Sequence, residues 1–121
     1  MGCAYAINGA IRIRDNAESR EIVERVRVDA DQMNIEQIGH DDGTITVTIS
    51  GLAFLSYTTA TDIDEMIKEL GPHALEASSF DTDCDGDRSE LWVGSEDAVK
   101  EAIRQKDIQE WGTKAVTAGA P

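Results

Sequence analysis

A chain of 121 residues with 24 Asp and Glu, 11 Lys and Arg and 40% apolar residues suits one globular domain with a single core. Its net charge of −13 disfavours direct contact with nucleic acid or anionic membranes and favours cations or basic protein surfaces. No run of 18 apolar residues is present to cross a bilayer. The acidity is uneven: residues 1–28 carry five Arg and four acids, net +1, whereas residues 29–121 carry six basic and 20 acidic residues, net −14.

The opening "MGCAYA" has Gly2 and Cys3 where an acylation signal would begin, but Ala6 stands where Ser or Thr is required. No basic leader or apolar signal core accompanies it. Tyr5, Ile7, Gly9, Ile11 and Ile13 instead alternate with Ala6, Asn8, Ala10 and Arg12, which predicts a strand over about 3–14. Asp15 and Glu18 have capping-box spacing. Ile22, Val23, Val26, Ala30 and Met33 continue at helical spacing, so a first helix is expected over 16–33, with Glu21 and Arg25 paired on its outer side.

Ile35 and Ile38 precede "HDDGT", where Asp42-Gly43 marks a hairpin, and Ile45, Val47 and Ile49 alternate with threonines. "LAFLSY" extends that strand past Gly51 by way of a bulge. Thr61 reads as an N-cap, with Asp62, Asp64 and Glu65 complementing the helix dipole and Ile63, Met66, Ile67 and Leu70 forming the buried stripe. Gly71-Pro72 stops the helix. Strands are expected over 74–82 and 89–94, then a helix capped by Ser95 that reaches Trp111. Residues 1–111 therefore make one α+β domain, and 112–121 a flexible tail.

The order β-α-β-β-α-β-β-α begins as a split βαβ, ferredoxin-like antiparallel sheet with its helices mainly on one face. Such a fold fixes no function. Its sheets do bind RNA where aromatics stack on the central strands, but only Tyr5 is placed for that here. Arg12, Arg14, Arg20, Arg25 and Arg27 are read as ion-paired surface residues.

The stretch "FDTDCDGDRSELWVG" sets Asp81, Asp83, Asp85, Asp87 and Glu90 into ten residues opposed by Arg88. Asp81, Asp83, Asp85 and Gly86 reproduce the opening half of a calcium loop, with Glu90 as a displaced ligand. However, Trp92 stands where a bidentate Glu should close the site, and strands flank the loop in place of helices. The simpler reading is a hairpin turning at Asp85-Gly86. Like charges this dense repel by about 1 kcal/mol per pair at 4 Å even in bulk water. A basic partner, bound cations or a general need for solubility in high salt would offset that cost.

Catalysis finds little footing. His40 and His73 belong to no ligand or catalytic spacing, no nucleophile elbow or phosphate loop occurs, and Cys84 lies among carboxylates that suppress its thiolate. Cys3 and Cys84, without a CxxC pair, are read as free thiols in a reducing cytoplasm.

The expectation is a non-catalytic, cofactor-free module whose acids meet a basic protein surface. Asp81, Asp83, Asp85, Asp87 and Glu90 are its main contacts, with Asp62, Asp64 and Glu65 as a second cluster. Carboxylates in a row imitate the phosphate charge of nucleic acid. The functional class this suggests is a phage or mobile-element inhibitor of a restriction or CRISPR complex. A small regulatory domain binding calcium or another small ligand is the alternative, and a protein whose acidity serves only solubility in a halophile is another. An uncovered sheet edge or face would also support a homodimer.

Overall fold

A computed structural model describes the backbone of residues 2–119, with side chains as far as Gln109 at the C-terminal end. In chain order it has β1 (Gly2–Arg14), α1 (Ala17–Asp29), β2 (Asn34–Gly39), β3 (Thr44–Ser56) and α2 (Tyr57–Lys68). A 3-10 turn at Gly71–His73 then leads to β4 (Ser78–Cys84), β5 (Asp87–Val93) and α3 (Glu96–Gly119). The protein is α+β: one five-stranded sheet in the order β2-β3-β1-β4-β5, every neighbour antiparallel, with three helices. The element order is the expected one. The sheet does not match a ferredoxin-like pattern as it stands, because β5 adds a fifth strand beyond β4.

The period-two pattern decides which face is covered. Cys3, Tyr5, Ile7, Ile11 and Ile13 point to one side of β1 and are buried with Val47 and Ile49 of β3 and Phe80 of β4. Ile22, Val23 and Val26 of α1 and Ile63, Met66 and Ile67 of α2 close that core from above. α1 packs on α2, and α2 reaches β1, β3 and β5. Gly9 permits the closest approach: a Cβ there would sit 2.5 Å from the Phe80 ring and 2.9 Å from its Cα.

The caps differ from those expected. α1 is capped one residue later, at Asn16, whose Oδ1 accepts the Ser19 amide while the Ser19 hydroxyl accepts the Asn16 amide. Asp15 is taken by Arg20 instead. The helix ends at Asp29, and Arg25 pairs with Glu69 of α2, 3.0 Å away, not with Glu21. α2 begins at Tyr57 with Ser56 as its N-cap, so Thr61 and the acids after it lie inside the helix. Past Gly51 the β1–β3 register runs uninterrupted from Arg14↔Thr44 to Gly2↔Ser56, so the expected bulge is absent.

Cys3 and Cys84 form a disulfide, which overturns the reading of two free thiols. Sheet order brings together sulfurs 81 residues apart, which no local pattern could announce. With it goes the ground for inferring a reducing compartment. Among the described residues no helix is long and apolar enough to cross a membrane. α3 is helical past the expected end at Trp111, and the expected tail falls on residues whose side chains lie outside the described set.

Candidate functional site

The face of the sheet away from α1 and α2 is mapped by its register. One row across four strands reads Leu52, Ala6, Asp83 and Arg88, and the next reads Ser50, Asn8, Asp81 and Glu90. Ala4 stands beside Phe54 at the end of the same face. Asp81, Asp83, Arg88 and Glu90, with Ala6 and Asn8, line a shallow depression of about 640 Å³. Its floor is low because the centre strand presents the small side chains Ala6 and Asn8. Beside it Leu52 and Phe54 are 68% and 73% exposed, the most exposed large apolar side chains among the described residues.

The turn of the acidic hairpin is the two-residue form. Asp85 and Gly86 have φ of 55° and 93°, a geometry that Asp tolerates and Gly adopts freely. Asp83 Oδ1 accepts the Gly86 amide at 2.7 Å, and its other oxygen lies 3.6 Å from Arg88. Asp85 Oδ1 accepts the Ala4 amide at 2.9 Å and the Asp85 amide donates to the Ala4 carbonyl, tying the turn to β1. Glu90 accepts from Lys106 of α3 and, at 3.1 Å, from Trp92 Nε1; the bond from Lys106 chiefly holds its carboxyl below the usual range. Asp81 and Asp87 are exposed and carry no such partner among the described residues.

The hairpin acids therefore come together, but the second predicted cluster does not join them. Asp62 and Glu65 of α2 line a separate cleft with Glu69, just past the end of that helix, and Asp29 of α1, on the opposite side of the sheet. Glu65 is 3.7 Å from Lys68. Asp64 turns inward and accepts the Tyr5 hydroxyl at 2.6 Å. Burial raises the Asp64 carboxyl above its usual range despite that bond, and burial followed by Asp64 raises the Tyr5 hydroxyl. Tyr5 is thus part of the core and offers no stacking surface.

Asp81 and Asp83, two residues apart on an extended strand, stand about 6.7 Å from each other, while Asp85 bends away to Ala4. Such carboxylates do not converge, and among the described residues no three His, Cys, Asp or Glu side chains are placed to hold a metal ion. His40 bonds Thr46 in the β2–β3 turn, whereas His73 is buried behind α1. Arg12 bonds Asp42 and Thr44, an ion-paired role of the kind expected.

Leu52 and Phe54 were hidden in the sequence by the assumed bulge. Ile45, Val47 and Ile49 fix odd positions inward, so an unbroken strand sends 52 and 54 outward. That parity was the available signal.

Comparison with known protein families, with curated proteins and with solved structures finds no match for this chain.

Proposed function

We propose that this protein is a non-catalytic interaction module that receives a basic protein on the open face of its sheet. The carrying observation is the adjacency, through the strand register, of an exposed apolar pair, Leu52 and Phe54, to the carboxylates Asp81, Asp83 and Glu90 across a floor of Ala6 and Asn8. Apolar contact supplies affinity and the acids select a partner whose rim is basic. A second copy of this chain is a poor occupant, since each copy carries −13.

The finer form of the proposal is occupation of the basic groove of a nucleic-acid enzyme. Its support is the regular spacing of Asp81 and Asp83 along one strand, with the Asp85 turn beyond; Asp87 stands opposite Cys84, on the other side of the hairpin. Arg88 and Lys106 offset part of that charge, so the apolar pair carries as much of the proposal as the acids do. A ferredoxin-like assignment belongs here too. It is supported by β1 lying between β3 and β4 with β3 next to β2, leaving β5 and α3 as additions.

Capture of a partner from cells that make the protein tests this. The recovered protein should be basic, and its association should weaken steeply with salt. Asp81→Lys with Glu90→Lys should abolish recovery, and Leu52→Ser with Phe54→Ser should weaken it at least tenfold. Recovery unchanged by both pairs would overturn the proposal.

A further inference from the structure

β3 is longer than the strand that covers its outer edge. β2 begins at Asn34, opposite Ser50, so residues 51–56 of β3 have β1 on one side and, among the described residues, no strand on the other. The chain arrives there from α1 through a turn in which the Met33 amide donates to the Ala30 carbonyl. Met33 packs on Gly51, where a Cβ would lie 3.3 Å from the Met33 Cα, and the rest of β3 runs on past this contact.

Strand parity decides what that edge offers. In an antiparallel ladder the N–H and C=O of one residue point to the same side, and the side alternates along the strand. The Thr44 carbonyl accepts the His40 amide at 2.9 Å in the β2–β3 turn, so even-numbered residues of β3 turn toward β2. β1 agrees: its Ala4 and Arg12 carbonyls accept the Asp85 and Leu75 amides on the β4 side, which leaves odd residues of β1 to meet odd residues of β3. The register continues unbroken to Ser56. Leu52 and Phe54 therefore each direct an N–H and a C=O outward, and no described group bonds them. Charged side chains, proline or a bulge ordinarily guard such an edge. Here residues 44–61 hold no charged residue and no proline, and the register has no bulge.

We propose that the edge of β3 over residues 52–56 is a strand-addition site that takes an extended segment of a basic protein. The proposal rests on the open-face reading above and says how the partner is held. Its backbone pairs with Leu52 and Phe54 in line with β2, and its alternate side chains, standing on the same face, pack on those two residues. Those side chains are apolar. The net charge of −13 selects a segment from a basic chain and disfavours a second copy, which would bring another −13.

A capped peptide of alternating valine and lysine, titrated into the nitrogen-15-labelled full chain, is the probe. With valines over Leu52 and Phe54, its valine amides face β3 and its lysine amides face water. At saturation, hydrogen exchange of the Leu52 and Phe54 amides should slow about tenfold, while Ala53 and Leu55, already turned to β1, change little. N-methylation of the valines should abolish binding, and N-methylation of the lysines should keep it within a few-fold at identical charge. In the protein, Phe54→Pro, which removes the outward N–H, should bind the peptide about tenfold more weakly than Phe54→Ala. Equal binding of the two methylated peptides would overturn strand addition and leave the open face standing as a contact surface, which asks nothing of a partner's backbone. Leu52 and Phe54 amides that stay unprotected at saturation would overturn it as well. Protection that appears without peptide and grows with protein concentration would give the edge to a second copy and overturn the proposed occupant.

Discussion

The two faces of the sheet are made by the same strands and differ in almost everything else. Odd-numbered positions of β1 are Cys3, Tyr5, Ile7, Gly9, Ile11 and Ile13, packed under α1 and α2; even-numbered ones are Ala4, Ala6, Asn8, Ala10, Arg12 and Arg14, small or polar and turned outward. The covered face is filled so closely that Phe80 lies on a glycine. The open face keeps two large apolar side chains in water, beside carboxylates. Stability thus resides on one side of the sheet, and the other side is free to be spent on recognition.

If that division is right, substitutions should sort by face. The largest effect is expected at the disulfide, which anchors the acidic hairpin to the centre strand from the covered side. β4 meets β1 over only Tyr5↔Cys84 to Asn8↔Asp81, against the full length of β1 for β3. Cys3→Ser with Cys84→Ser should cost about 2–5 kcal/mol in chemical unfolding, and hydrogen exchange should quicken first in the hairpin.

Gly9→Ala should come next, about 1–3 kcal/mol, because the added methyl meets both the ring and the Cα of Phe80. Leu52→Ser on the open face should stay within about 0.5 kcal/mol of the wild type. Equal losses at Gly9 and Leu52 would erase the distinction between the faces.

A smaller effect separates Tyr5 from the exposed Tyr57. The Tyr5 hydroxyl has its pKa raised in the folded protein by burial and by Asp64. A group raised above its unfolded value contributes stability that is complete below the ordinary tyrosine range, near pH 10, and is lost as pH climbs beyond it. Thermal unfolding of the wild type should therefore fall more steeply above pH 10 than that of Tyr5→Phe. At neutral pH Tyr5→Phe should cost about 1 kcal/mol, since Asp64 loses its donor.

Much of the fold was legible because its signals are local. Alternation located β1 and the first half of β3, and helical spacing located the buried stripes of α1 and α2. Asp42-Gly43 and Asp85-Gly86 announced their turns, where Gly43, Asp85 and Gly86 adopt positive φ. Other features were legible only in part. β3 runs into α2 with no loop between them, and the β-branched Thr58, Thr59 and Thr61 disguise the helix start, so a cap was expected at Thr61 instead of Ser56. Asn16 with Ser19 and Asp15 with Glu18 both offer a capping pair, and the bond from Arg20 to Asp15 accompanies the first choice.

What remained unreadable was non-local. The disulfide, the Arg25–Glu69 and Lys106–Glu90 pairs and the separation of the two acidic clusters all depend on which strands and helices become neighbours. Counting carboxylates placed Asp62 and Glu65 with the hairpin, whereas the sheet stands between them.

That separation allows the central claim to be measured with charge held constant. Asp81→Lys with Glu90→Lys changes the open face of the hairpin by four charges, and Asp29→Lys with Asp62→Lys changes the α1–α2 cleft by the same amount. Titration of the captured partner against both variants at one salt concentration should show binding lost in the first and kept within a few-fold in the second. Equal losses would mean that total charge alone governs association, and a loss confined to the cleft variant would move the functional surface to the helices.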